Sequence, residues 1–563
     1  MNGQRLSLTQ IFWRSLGVLT LGVAVGGGLL WPLWSLIERS GVLSAPGEFL
    51  AVISDPVVLS VLKFSVTQSL LSTLISAGLA LILAWALDRC LDGEAGSEKT
   101  SLGLRSWVEL LLKIPYGIPS VVAGFSMIAL LRSHSLFEGL SYSASGVVLT
   151  HVILNTPWIA LALLQATAQI PKQRRETARL LGASAWQHWK RVDWPVIEAR
   201  LPGLLHQVFA LCLTSFAIVL LVGGGPPVET LEVWIYSRMR LGAIQESQAI
   251  VGALVQLGVL VLAAIVFAGI QKAIGSKDVT EIAQAQRVRA MDAHPSQPNR
   301  MRWHGCLALI LAVIWIAPYF FAQIQAVGVG ADAGWNQENL NQLRAGVFHS
   351  LQISLISTAL AGLICVLLFC LRIEAHFSPG LQSHRSRYLR CLDRGIVGLS
   401  VIPLGVSTLM LCLGWWVSYS QRSSPHLGWV VAIQAIGVLP IWIRLLSPDV
   451  RNLQVSLWAR ARVLGASGWQ AWRWIEWPRL LPLFWSAVSL SLMVCLGEVA
   501  ALSFFAIADW ETLPTLIARA SARYEFDQAS HLTLVLMGLI VLAAALPSTG
   551  SWISNSMSKG RSK

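Results

Sequence analysis

Charge is what this sequence has least of. Asp, Glu, Lys and Arg make up 13% of its 563 residues, about half the share of an ordinary globular chain. A surface wetted on every side cannot be built from so few charges, which excludes a soluble enzyme. Cysteine is sparse as well. None of the eight forms a C-x-x-C pair, so neither a zinc site nor a disulfide framework is indicated, and they read as small buried hydrophobes. No G-x-x-x-x-G-K-[ST] string occurs, and with it goes a phosphate-cradling loop. GEAGSEKT at 93–100 fails at Glu98, and GVGADA at 328–333 lacks a strand–helix context and reads as a flexible turn. A small-x-small cleavage site is missing after the first apolar stretch, Leu16 to Ile37. That stretch therefore reads as a membrane helix rather than a leader.

Apolar length is what the chain has in abundance: 55% hydrophobic residues and a mean hydropathy of +0.61. Runs of roughly 20 apolar residues cross a hydrocarbon core about 30 Å thick. Twelve spans are expected, at 15–37, 57–87, 107–131, 146–168, 201–222 and 249–271, then 303–325, 347–371, 395–418, 428–446, 482–507 and 531–552. The fold class is an all-α polytopic membrane protein. Lys and Arg favour cytoplasmic loops, and placing the N-terminus inside puts 32 of the 42 on that side. Both termini are then cytoplasmic. The 25 tryptophans suit anchoring at the two bilayer surfaces rather than a ligand cage.

The chain also repeats itself. ETARLLGASAWQHWKRVDWP, from Glu176 to Pro195, returns 283 positions later as ARARVLGASGWQAWRWIEWP, from Ala459 to Pro478, with eleven of twenty positions identical. Each copy falls in a polar loop between the fourth and fifth spans of a half, 169–203 and 447–482. The chain thus divides into a first half, 1–271, a polar cytoplasmic linker, 272–302, and a second half, 303–563. Within each loop, Gly182 and Gly465 are expected to weaken a helix and permit a bend. Ala178, Ala183 and Ser184 allow close approach by another protein. The Trp186/Trp189 pair, at i,i+3, could hold the following segment at the membrane interface.

The loop resembles the E-A-A-x3-G-x9-I-x-L-P motif of ABC-importer permeases. Glu176, Ala178, Gly182, Val192 and Pro195 match in the first copy, and Ala461, Gly465, Ile475 and Pro478 in the second. Thr177 and Trp194 depart from the pattern, and Ala459 stands where the acidic first residue belongs. The resemblance implies the fold of a type I importer permease, with both six-helix halves fused in one chain. It also implies that the loops, including Ala183 and Ala466, couple to a cytoplasmic ABC ATPase dimer. That dimer would use the ATP and magnesium, leaving this chain without a catalytic residue, metal or cofactor of its own. A periplasmic or lipid-anchored substrate-binding protein and membrane lipid complete the implied partners, nucleic acid is not among them, and the implied site is the bacterial inner membrane. The stretch from Leu211 to Met239 looks like the matching region of bacterial thiamine permeases. Ferric-iron permeases share the fused layout and remain the alternative cargo class.

Residues along a transport path can be nominated from the apolar segments. Glu498 is the one ionisable residue deep in an expected span, and a carboxylate there must face a cavity or a partner. It either favours a cationic cargo or is a structural group bonded to a neighbouring helix. Ser215 is its counterpart in the first half. His151 and Asn155 share a helix face at i,i+4 and either line the path or bond adjacent helices. Pro115 and Pro403, and Pro157 and Pro440, form two pairs that act as hinges or as packing kinks. Two other classes fit poorly. A major-facilitator carrier would show an acidic–basic signature in the second-to-third loop, which DRCLDGEAGSEKTSLGLRS does not supply. A membrane enzyme would gather several ionisable groups at one depth.

Overall fold

The computed structural model describes residues 22–91, 104–133, 138–168, 170–241, 245–274, 337–377, 402–421, 423–452 and 477–559, with isolated positions (310, 317, 396, 461, 463–466, 470 and 473) between them. Ala459, nearly all of the 272–302 linker, most of the span expected at 303–325, and the strings at 93–100 and 328–333 lie outside the described residues.

Every named element is helical. A π-helical segment, Gly22–Leu30, leads into α1 (Trp31–Arg39) and α2 (Pro46–Ile53). The first half continues with α3 (Pro56–Leu91), α4 (Leu104–Gly117), α5 (Ser120–Ser133), α6 (Ala144–Thr167), α7 (Lys172–Leu180), α8 (Ala185–His188), α9 (Trp194–Leu213), α10 (Ala217–Val222), α11 (Leu231–Arg240) and α12 (Glu246–Ile274). The second half supplies α13 (Gln337–Phe377), α14 (Thr408–Tyr419), α15 (Leu427–Asn452), α16 (Trp477–Leu496), α17 (Ala500–Phe505), α18 (Leu513–Ala522) and α19 (Phe526–Lys559). Among the described residues, eight helical stretches are long and apolar enough to cross a membrane. α3 has 36 residues, about 54 Å at 1.5 Å per residue, so it tilts or projects beyond the hydrocarbon.

Two kinds of expected span are interrupted, and each interruption occurs in both halves. The third spans break at Ile-Pro-x-Gly: Ile114–Gly117 closes α4 before α5 starts at Ser120, and Ile402–Gly405 is a 3-10 turn before α14. The Ser407 hydroxyl caps α14 by accepting from Met410 N at 3.0 Å. The fifth spans break at 214–216, between α9 and α10, and at 497–499, between α16 and α17. Pro115 and Pro403 are buried beside the first kind of break, whereas Pro157 and Pro440 are buried inside helices that run on unbroken.

The chain packs as two compact units, one drawn from Met1–Ser54, Ile235–Leu254 and Asp332–Lys563, the other from Asp55–Trp234 and Val255–Ala331. The sequence repeat and the packing therefore divide the chain at different places. In the second unit α6 packs along α3 and α4, with α9 against both α3 and α6. Leu87, Leu112, Leu163 and Cys212 share its core. In the first unit α13, α15 and α16 form the corresponding core around Cys365, Leu439, Trp442 and Cys495. Lipid is as apolar as leucine, so close fit and polar contacts hold such helices together. Gly362 shows the fit: a Cβ there would come within 2.8 Å of the Trp442 ring.

The first unit also takes in the start of the chain. The Trp415 indole donates to Gly28 O at 3.0 Å, and the Tyr419 hydroxyl donates to Gly27 O at 2.9 Å. Glycine is required at Gly414, where a Cβ would meet the Pro32 carbonyl oxygen at 2.9 Å, while one on Gly28 would push the tip of Ile436, 2.7 Å away.

Candidate functional site

The two repeated loops share one backbone device. In the first, α7 ends with Leu181 N donating to Thr177 O at 3.0 Å and Ala183 N donating back to Ala178 O at 3.1 Å. Between them Gly182 takes φ +71°. In the second, Ala466 N donates to Ala461 O at 3.0 Å across Gly465 at φ +75°. A left-handed glycine with a six-residue return bond is a Schellman cap, which satisfies carbonyls left over at a helix end. The bend expected at these glycines is thus a full helix stop. The alanines of the motif supply the accepting carbonyls, and Ala178 also packs on Ala166, Ile170, Val192 and Val196.

Immediately beyond the stop a fresh helix begins. Ser184 N donates to Gln187 Oε1 at 2.9 Å and Gln187 N donates to Ser184 Oγ at 3.3 Å, a reciprocal capping box. Trp186 and Trp189 stack at 5.0 Å, and Trp189 meets Trp194 at the same separation. Pro195 and Pro478 each come after a tryptophan that opens a long helix, a position where the missing N–H costs nothing. Each loop also presents two aliphatic side chains to solvent just ahead of its glycine: Leu180 and Leu181 are 88% and 81% exposed, Val463 and Leu464 87% and 85%. The two copies thus expose aliphatic pairs at matching places. Glu176 is exposed on the same short helix.

The breaks in the fifth spans are held differently in each half. In the first, the Gln68 amide on α3 donates to Cys212 O at 2.9 Å, one of the carbonyls released where α9 stops. In the second, Glu498 Oε1 accepts from Ala500 N at 2.7 Å at the start of α17. Counterparts are exchanged: Ile353 stands where Gln68 would fall, and Ser215 where Glu498 would. Asn155 reaches the first break too, donating to Cys212 Sγ at 3.4 Å. His151, one turn along α6, is buried, and neither its ring nitrogens nor Ser215 Oγ has a hydrogen-bond partner among the described residues. Gln68, Asn155 and Cys212 therefore converge on one break, with Ser215 in the break itself and His151 one turn from Asn155 along α6.

A second doubled feature emerges from packing. Ser65, Ser69, Ser72 and Thr73 form a buried stripe on α3, and Ser350, Ser354, Ser357 and Thr358 repeat it on α13, 285 positions on. Ser65 Oγ accepts from Leu231 N and Ser350 Oγ from Leu513 N, both at 2.8 Å. Those amides belong to the twin strings Glu229-Thr230-Leu231 and Glu511-Thr512-Leu513. Replacing Ser65 or Ser350 by alanine leaves a buried amide unpaired, at a cost of about 1–3 kcal/mol. Thermal unfolding of the purified variants is expected to show a lower midpoint for each.

Comparison with known proteins fits this architecture. The family model for the binding-protein-dependent transport system inner membrane component matches residues 101–277. The thiamine transport system permease protein ThiP of Haemophilus influenzae is 26% identical over 551 residues, covering 94% of this chain and 91% of the relative. ThiP of Escherichia coli is 26% identical over 541 residues, 93% of each. A probable sulfate transport system permease of Chlorokybus atmophyticus is 22% identical over 221 residues, 38% of this chain and 73% of its own length. A matched segment inside the first half, likeness running through both halves, and helical breaks and capped loops that occur twice agree with one another. The chain is thus similar, over nearly its whole length, to multi-pass inner-membrane permease subunits of binding-protein-dependent importers.

Proposed function

We propose that this permease carries thiamine or one of its phosphates into the cell, driven by a separate ATPase dimer docked on the two repeated loops. Support for the cargo comes from relatives named as thiamine permeases that match nearly end to end. Docking rests on one observation above all: both loops stop a helix on the same glycine cap and expose an aliphatic pair there. Burying such a side chain in a partner's groove contributes roughly 1.5–3 kcal/mol. Glu176 offers an ion pair in the first loop, where Ala459 offers none in the second.

In this reading both termini are cytoplasmic, so the loops face the ATPase. A periplasmic or lipid-anchored binding protein docks on the outer segments 223–248 and 508–530. ATP closes the ATPase subunits, the loops are drawn along, and the pore opens outward to accept cargo; hydrolysis resets it. ATP and magnesium belong to the ATPase, and this chain needs no cofactor. The path is assigned to Glu498, Ser215, His151 and Asn155, all at or beside the helix breaks. Pro115 and Pro403, next to interruptions, are better placed as hinges than Pro157 and Pro440 within continuous helices.

Proteoliposomes holding this chain, its ATPase and its binding protein are expected to accumulate labelled thiamine only when ATP is supplied. Iron uptake without thiamine uptake would transfer the cargo to ferric iron. Accumulation by the chain alone would end the docking assignment.

A further inference from the structure

The first loop is fastened by an ionic cluster whose residues its copy does not repeat in sequence. Arg175, on α7, places Nη2 3.2 Å from Asp88 Oδ2 at the end of α3 and 3.6 Å from Asp193 Oδ1 ahead of α9. The same nitrogen donates to Thr167 O, at the end of α6, at 3.0 Å. Thr167 Oγ1 donates to Asp88 Oδ1 at 3.2 Å, and His188 Nδ1 lies 3.2 Å from Asp193 Oδ2. The four ionisable side chains are only 8–15% exposed, so their pairing is shielded from the screening that weakens surface pairs.

The repeat carries different chemistry at these places. Trp458 stands for Arg175 and Ala471 for His188, while Glu476 keeps the acid of Asp193. Along the long helix, where the halves are 285 apart, Ile373 stands for Asp88. One guanidinium nitrogen gathers Asp88, Asp193 and Thr167 here, and none of Trp458, Ala471, Glu476 and Ile373 carries a cation to do the same.

A nine-residue helix such as α7 is too short to hold its shape alone. Its apolar anchorage is slight, since Ala178 is its one member of the small cluster beneath the loop. Nη2 of Arg175 ties it to Asp88, Thr167 and Asp193 at the ends of longer elements. We propose that Arg175 is a positioning residue that makes the first loop a stiff lever, so that the two loops transmit the ATPase stroke unequally. The inference rests on the docking reading above and adds how the force is carried.

The test uses the full chain in nanodiscs, alone and with its ATPase and binding protein. Hydrogen exchange of α7 amides is measured on the permease alone, and thiamine moved per ATP hydrolysed on the assembly. Arg175→Met is expected to speed α7 exchange roughly tenfold. It should keep ATPase association and lower thiamine moved per ATP about fivefold. Arg175→Lys is expected to recover part of both, and Trp458→Met to change neither. The proposal is overturned if exchange is unchanged, if exchange rises while transport per ATP stays the same, or if Arg175→Met simply loses the ATPase. A parent chain that never couples to an ATPase would instead sink the docking reading, and the exchange measurement would still report on the lever.

Discussion

Exchanging Gly182 and Gly465 together for valine is expected to abolish co-purification of the ATPase and all ATP-driven uptake. The reason is confined to the backbone. A Cβ at either position would meet nothing within 4 Å, so no packing is disturbed by the side chain itself. Left-handed φ, however, costs an L-residue about 1–2 kcal/mol, and a β-branched residue tolerates it least. Relief requires giving up the return bonds to Ala178 and Ala461, after which the aliphatic pairs no longer project from a defined stop. Losing two of them from a docking surface removes several kcal/mol of burial, and each 1.4 kcal/mol is about tenfold in affinity. Asparagine, which enters the left-handed region more readily, is expected to restore association in both loops. Pull-down from detergent-solubilised membranes reads the result. If the valine pair retained the ATPase at parental levels, the loops would not be its seat.

The second large effect concerns Glu498. Its carboxylate accepts from Ala500 N at the interruption between α16 and α17, and a leucine there cannot. Glu498→Leu is expected to lower uptake at least about tenfold, since a buried backbone amide without a partner costs about 1–3 kcal/mol and the break loses its geometry. Glutamine keeps an accepting oxygen while discarding the charge. Glu498→Gln is therefore expected to hold uptake within about threefold, in keeping with a side chain whose first task is to cap. An equal collapse in both variants would mean that the cargo feels the negative charge directly. Initial rates of labelled thiamine uptake, normalised to the amount of variant in the membrane, separate the two outcomes.

The helical class, the doubling and the two loops were legible in the sequence because hydropathy and identity report on them directly. The interruptions were not. Thr214, Ser215 and Phe216 bring no charge into their segment, Gly497 and Val499 add none beside Glu498, and hydropathy registers side chains rather than backbone bonds. Gly182 looked like a bend in mid-helix; only its φ and the bond from Ala183 reveal a stop. The serine stripes and the Glu-Thr-Leu strings were visible as text, yet a single offset of 283 hides them. Loops of unequal length shift the register by a few residues between one pair of helices and the next. Arg175 and Asp88 are remote in sequence, and nothing local to either announces the pairing. Of the nominated path residues, Asn155 could be connected to Cys212 only once α6 and α9 were seen to pack.

The opening segment, whose Gly27 and Gly28 carbonyls are gripped by Tyr419 and Trp415, binds the fate of the two gene halves together. The backbone passes between the two compact units at four places, after residues 54, 234, 254 and 331. A protease nick in the 272–302 stretch would thus fall within one unit and leave all four of these connections uncut. Fragments 1–271 and 303–563 made from two genes would have reason to find each other, because one of them carries a piece of the other's interior.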